Sequence, residues 1–200
     1  MDIHMTELDK KQAGQIYDAR DLDLRGCQNE AKRRMCAFNR VPAENVAERE
    51  RILREMFGYL GSNARVNQPI YVDYGNNIFL GNNSFINMHC TLQDTGRIVI
   101  GCNTMIGPDV KIYTAMHSLD GYERFWHEED GRDAVKTWAK EVRIGDYVWI
   151  GGGAIILPGV TIGNHTVIGA GSVVTHTIPD HVVACGNPCR VKEETEPGKE

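Results

Sequence analysis

Residues 144–168 read IGDYVWIGGGAIILPGVTIGNHTVI, and isoleucine stands at every sixth position: Ile144, Ile150, Ile156, Ile162 and Ile168. The same step of six carries outward. Upstream it finds Leu80, Ile86 and Leu92, then, after two extra residues, Ile100, Ile106 and Ile112; downstream it reaches Val174. All twelve positions are Ile, Leu or Val, types that make up only 42 of the 200 residues, so chance does not account for them. Two places before each anchor stand Ile78, Ser84, Cys90, Ile98, Thr104, Val110, Val142, Val148, Ala154, Val160, Thr166 and Ser172, which are aliphatic or small and never charged. Residues two apart on a strand share a face, so each repeat turns one large aliphatic and one smaller side chain inward. Turn formers follow the anchors, as in Gly81-Asn82-Asn83 and Gly163-Asn164-His165. Gly and Asn tolerate the positive φ of a tight corner. Six-residue periods of this kind mark a parallel β-helix, in which stability accumulates coil by coil.

Outside the repeat the texture changes. Residues 1–60 carry helix signals at Thr6 to Ala19, Asn29 to Asn39 and Ala43 to Leu60, the last following Pro42 and closed by Gly58 and Gly61. The expected organisation is a helical cap over 1–60, a β-helix over 61–190 interrupted by a loop at 113–141, and a polar tail over 191–200. A net charge of −5 with no basic run argues against nucleic acid as a partner. A polar N-terminus and the lack of 18 consecutive apolar residues argue against a secretion signal and a membrane span. Six cysteines without a Cys-x-x-Cys pair read as reduced thiols and suit a cytoplasmic protein.

The repeat stops between Ile112 and Ile144, a step of 32 in place of six. The excursion begins Tyr113-Thr114-Ala115-Met116-His117 and holds Trp126, His127, Glu128, Glu129, Asp130 and Trp138. A long loop inside a strict repeat is functional or disordered, and two tryptophans favour function. His117 at its mouth suits general-base work: free imidazole titrates near 6.5, so it accepts a proton at neutral pH. Base assistance to an attacking alcohol is worth roughly a hundred- to ten-thousand-fold.

Several segments narrow the reading. Asp73-Tyr74-Gly75-Asn76-Asn77-Ile78-Phe79-Leu80-Gly81, Tyr113-Thr114-Ala115-Met116-His117, Val148-Trp149-Ile150-Gly151-Gly152 and Gly186-Asn187-Pro188-Cys189-Arg190 resemble the maltose and galactoside O-acetyltransferases, a group of the hexapeptide-repeat acyltransferase superfamily. Tyr17-Asp18 and Phe38-Asn39 are similar to that family's N-terminal cap. The resemblance implies a left-handed helix, a homotrimer with sites at subunit interfaces, and direct acetyl transfer from acetyl-coenzyme A to a sugar hydroxyl without a metal. It implies His117 as general base, Asn87 on the acceptor near the reacting group, and the Gly152 N–H facing the oxyanion. Asp18 and Asp73, with Asp94 in the place of an acidic pair, are implied as sugar contacts. Trp149 is implied beside His117 and the pantetheine arm; Gly152, Ala170, Thr175, His176 and Arg190 are implied along the coenzyme A groove.

The chain also departs from the family pattern. His176 stands where a lysine is common, and Glu193 at an often basic position beside Lys192. Asp94-Thr95 replaces the acidic pair, and Gln28 stands near an acceptor-binding arginine for which Arg25 or Arg33 could substitute. Three rival readings remain: a zinc hydratase using the His176/His181 spacing, a structural β-helix, and an acetyltransferase for a non-sugar acceptor such as an antibiotic or amino acid. Scattered histidines weigh against the first, the loop against the second, and the Tyr17-Asp18 cap against the third.

Overall fold

The structure, a computed structural model, describes residues 5–129, 131 and 133–195. Asp130, the first four residues and the tail residues 196–200 lie outside the described residues. The repeat winds into a parallel β-helix with three faces. The first face stacks Tyr59–Leu60, Ile78–Leu80, Ile98–Ile100, Val142–Ile144 and Thr161–Ile162. The second stacks Arg65–Val66, Phe85–Ile86, Met105–Ile106, Trp149–Ile150, Val167–Ile168 and Val182–Cys185. The third stacks Ile70–Val72, Cys90–Gln93, Lys111–Tyr113, Ile155–Ile156 and Val173–Val174. Anchors sit in register: Leu80 pairs with Ile100, Ile100 with Ile144 and Ile144 with Ile162. Each turn of the helix therefore has three edges: a first between faces one and two, a second between two and three, and a third leading back.

All twelve anchors and all twelve residues two places before them are at most 2% exposed, so the interior follows the period without exception. The hydroxyls among the smaller set have partners. Ser84 donates to Gly101 O at 2.6 Å, Thr104 to Gly145 O at 2.8 Å and Thr166 to Pro179 O at 2.8 Å. Each ties a side chain to a corner carbonyl one coil away, which keeps a buried polar group satisfied. The corners divide labour differently from the sequence expectation. Positive φ is taken by the third corner residue, Asn83 (57°) and Asn103 (54°). Gly81 is required for space instead: a Cβ there would lie 2.4 Å from Gly101 O.

Three helices close one end of the prism: α1 (Glu7–Gln12), α2 (Leu22–Arg40) and α3 (Val46–Met56). Helix α1 carries a Thr6/Asp9 capping box and is shorter than expected, because Gly14 turns the chain at φ +68°. Tyr17–Asp18 then forms a strand rather than continuing the helix. Helix α2 begins earlier than expected because the Asp21 side chain accepts from the N–H groups of Asp23 and Leu24. Phe38, Ile52, Leu53 and Met56 join the prism core. Asn39 pairs with the terminal coil, donating to Ile70 O at 2.8 Å and accepting from Ile70 N at 3.0 Å.

Leu60, at the end of the expected cap, and Val66 and Val72, within the expected β-helix but outside the twelve anchors, are buried together in a first coil. The excursion folds back as Ala115–Met116, Phe125–Trp126 and Ala134–Ala139, paired antiparallel. Residues 190–194, which overlap the expected polar tail, form a strand antiparallel to Val182–Cys185. Among the described residues no helix is long and apolar enough to cross a membrane.

Candidate active site

His117 leaves the third edge at the start of the excursion. Its Nδ1 lies 3.0 Å from Lys136 O. A carbonyl oxygen only accepts, so Nδ1 carries a proton, and in the neutral ring Nε2 holds the lone pair. His117 is exposed, which leaves that lone pair open to an incoming hydroxyl. Lys136 also sits opposite Asp18 in the antiparallel pairing of Tyr17–Asp18 with the excursion. The cap thus brings Asp18 to the strand that orients His117. Arg20 holds Asp18 through its Nη2 at 2.7 Å and, by hydrogen bonding, keeps the carboxyl below the usual carboxylate range. Arg20 also reaches Glu128, tying the cap to the excursion.

Asp73 belongs to the same edge. Tyr17 and Tyr74, the neighbours of Asp18 and Asp73, share one buried cluster. The Asp73 side chain is partly exposed and accepts from Gln28 Nε2 at 3.2 Å and Thr95 Oγ1 at 3.1 Å. Asp94, expected as a sugar contact, is corrected here. It is 0% exposed, and its Oδ1 accepts from the N–H groups of Asp73 and Tyr74 at 2.9 and 2.8 Å. The two residues inserted at this corner turn Asp94 into the wall, where its carboxylate organises the backbone beneath Asp73 and offers no surface to an acceptor.

A second group of residues gathers along the second face and edge. A groove of about 430 Å³ is lined by Phe85, Asn87, Met105, Trp149, Gly152 and Ala170, among others. Trp149 lies between Met105 and Val167 in the pairing register and is 53% exposed, an apolar wall open to solvent. Asn87 Oδ1 accepts from Asn67 Nδ2 at 3.2 Å and from Met88 N at 2.8 Å, so its own amide N–H groups point away as donors. Among the described residues, nothing accepts from the N–H of Gly152 or of Ala170. The first edge shows the opposite treatment. There Cys102 N–H is capped by Asp146 at 2.6 Å, Asp146 N–H by Asn164 at 2.8 Å and Asn164 N–H by Asp180 at 2.7 Å.

Within one chain these two groups do not meet. His117, Asp18 and Asp73 occupy the third edge; Asn87, Trp149, Gly152 and Ala170 occupy the second face and edge. Trp149 is accordingly not beside His117 in a single chain. Thr175 and His176 stand on the third edge, joined by a 2.7 Å contact between Oγ1 and Nδ1, and Arg190 begins the final strand with Nη1 on Cys189 O at 2.8 Å. None of these three lines the groove that holds Trp149 and Gly152. Among the described residues no cluster of three His, Cys, Asp or Glu could hold a metal, so His176 and His181 do not form one. Gln28 and Thr95, the two positions at which the chain departs from the family's acceptor contacts, enter the site through hydrogen bonds to Asp73.

Comparisons with known proteins converge on one group. Residues 10–61 match the family described as maltose acetyltransferase hexapeptide capping motif, and 141–176 match bacterial transferase hexapeptide (six repeats). The galactoside O-acetyltransferase of Escherichia coli K12 is 38% identical over 97% of this chain and 91% of its own length. The crystal structure of a maltose O-acetyltransferase from Clostridium difficile 630 superposes with a TM-score of 0.89 at 45% identity, over 96% of this chain and 98% of that one. A galactoside acetyltransferase in complex with coenzyme A superposes with a TM-score of 0.87 at 36% identity, over 96% and 92%.

Proposed function

The chain belongs to the hexapeptide-repeat sugar O-acetyltransferases that carry the maltose acetyltransferase cap, and from that premise we propose how its own residues act. It moves an acetyl group from acetyl-coenzyme A to a sugar hydroxyl. His117 Nε2 takes the proton as the hydroxyl oxygen attacks the thioester carbonyl. The new C–O bond places negative charge on the former carbonyl oxygen, and the free N–H of Gly152 donates to it. Such a preorganised donor is worth roughly 3 kcal/mol. Collapse breaks the C–S bond, and the coenzyme A thiolate recovers the proton from the imidazolium. Asn87 donates its amide beside the reacting oxygen, while Trp149 and Ala170 flank the pantetheine arm. Thr175, His176 and Arg190 extend the coenzyme A groove, and Asp18 and Asp73 accept from sugar hydroxyls.

The division of the site supports a homotrimer. The base stands on one edge and the oxyanion donors on another, so a complete site forms where the third edge of one copy meets the second edge of the next. The apolar stripe of half-buried Phe85 and exposed Met105 and Trp149 suits burial against a neighbour. The reduced cysteines fit the cytoplasm.

The observation that carries the reading is the His117 tautomer, fixed by Lys136 O with Nε2 left free. The test is transfer from labelled acetyl-coenzyme A to maltose, glucose, galactosides and non-sugar alcohols. His117→Ala should cost at least about a hundredfold in kcat; sugar turnover that survives the change removes His117 as base. Shared sites make a further demand. Refolding His117→Ala together with Asn87→Ala should regenerate about a quarter of the wild-type sites in mixed trimers, and no regain would refute sharing.

A further inference from the structure

Asp73 is gripped on every side that does not face solvent. Its N–H donates to Asp94 Oδ1 at 2.9 Å. Gln28 Nε2, from helix α2, donates to Oδ1 at 3.2 Å, and Thr95 Oγ1, from the next coil, donates to Oδ2 at 3.1 Å. No arginine or lysine lies within ion-pair distance of this carboxylate among the described residues, and Lys11 Nζ sits 3.8 Å above the Tyr74 ring instead. A carboxylate offers about four lone-pair positions, two on each oxygen. One on each oxygen is taken, and one on each remains.

We propose that Gln28 and Thr95 are positioning residues that fix both oxygens of Asp73, so that the remaining lone pair on each receives one of two vicinal hydroxyls of an uncharged sugar. The inference rests on the proposed sugar acetylation and narrows its acceptor class. Two neutral donors orient the carboxylate without cancelling its charge. Lys11 is the cation that feels this corner, and its one positive charge faces two carboxylates, Asp73 and Asp94, so the corner attracts hydroxyl donors and disfavours a phosphate or carboxylate on the acceptor. Thr95 is 4% exposed and cannot itself touch acceptor, so its effect must pass through Asp73. Gln28 reaches Asp73 from a helix that otherwise belongs to the cap, which couples the seating of α2 to acceptor binding.

Steady-state kinetics on the whole protein with a neutral sugar test this. Gln28→Leu and Thr95→Val should each raise acceptor KM about tenfold, with kcat and the acetyl-coenzyme A KM within about twofold. Thr95→Ser, which keeps the hydroxyl, should restore the wild-type KM. Gln28→Leu lies at the cap surface and carries the test should the buried Thr95→Val fail to fold. A phosphorylated form of the same sugar should be at least about tenfold poorer in kcat/KM, and Asp73→Asn should narrow that gap. An unchanged acceptor KM in both variants, or a fall in kcat at constant KM, overturns the positioning role. A phosphorylated sugar used as well as the neutral one overturns the acceptor class. Failure of the wild-type protein to acetylate any sugar is a different result, because it removes the sugar reading on which the inference stands.

Discussion

Replacing Asp94 with asparagine should flatten the pH dependence of stability, and the structure sets both sign and size. Two effects act on this fully buried side chain. N–H donors from Asp73, Tyr74 and Asn77, at 2.9, 2.8 and 3.3 Å, favour the carboxylate. Removal from water disfavours it. Burial wins, lifting the pKa from 3.8 to about 6. Between those values the folded chain holds a proton that the unfolded chain has released. Asp94 therefore contributes stability fully below pH 3.8 and loses it as pH rises through about 6. A gap of about two pKa units corresponds to about 3 kcal/mol.

Asparagine does not titrate, so the stability of Asp94→Asn relative to wild type should rise by about 3 kcal/mol between pH 4 and pH 7. Urea unfolding at matched protomer concentration measures it, since an oligomer's midpoint moves with concentration. Subtracting one pH series from the other cancels the groups both proteins share. A flat difference, or a wild type that gains on the variant as pH rises, would falsify the reasoning. The first result would mean that the three N–H bonds balance desolvation, the second that they outweigh it.

Three other outcomes follow from the packing. Ile150→Ala, in the middle of the stack and 0% exposed, should cost about 2–5 kcal/mol in chemical unfolding. Gly81→Ala places a methyl 2.4 Å from Gly101 O and should cost more than about 2 kcal/mol, whereas Gly121→Ala, with nothing within 4 Å, should stay within about 0.5; equal losses would show that space is not what Gly81 supplies. Thr104→Val strands both Gly145 O and the Val148 N–H, which now bond the hydroxyl at 2.8 and 3.1 Å, and should lower stability by about 1–3 kcal/mol in the same assay.

The prism was legible because its rule is local and repeated. Every anchor from Leu80 to Val174 meets the same dry interior, so a ruler finds them. The first coil escaped the ruler because Leu60 closes a segment rich in Glu and Arg, and because the eight residues from Val72 to Leu80 break the step. The same eight separate Leu92 from Ile100, a signal that could have extended the repeat back to Leu60. The helical period placed α3 closely and α1 poorly, because Tyr17–Asp18 is held by the excursion, 120 residues further along, and not by its neighbours. His117 was reachable from its motif. The inward turn of Asp94 was not, since it depends on which inserted corner residue faces the wall. Nor was the pairing of Gln28 with Asp73, which joins a helix to a coil 45 residues away.

The repeat also explains where function can sit. On the first edge the corner column runs through Asn82, Cys102, Asp146, Asn164 and Asp180, and the four carboxylate or amide side chains among them each cap an N–H one coil before. On the second edge the corresponding column reads Met88, Pro108, Gly152 and Ala170, with no Asn or Asp. Gly152 and Ala170 thus keep their donors because the residue of the following coil has no oxygen to offer. An exposed N–H is tolerable beside water and useful beside a developing oxyanion. Placing an Asp or Asn in that column would satisfy the corner and close it to substrate. The open second edge and the base-bearing third edge lie on opposite ends of one face, and the stiffness of a stacked core keeps them apart. Under the proposed assembly, catalysis would depend on a neighbour's edge being brought to its own, and the apolar second face would then serve the chemistry as well as the assembly.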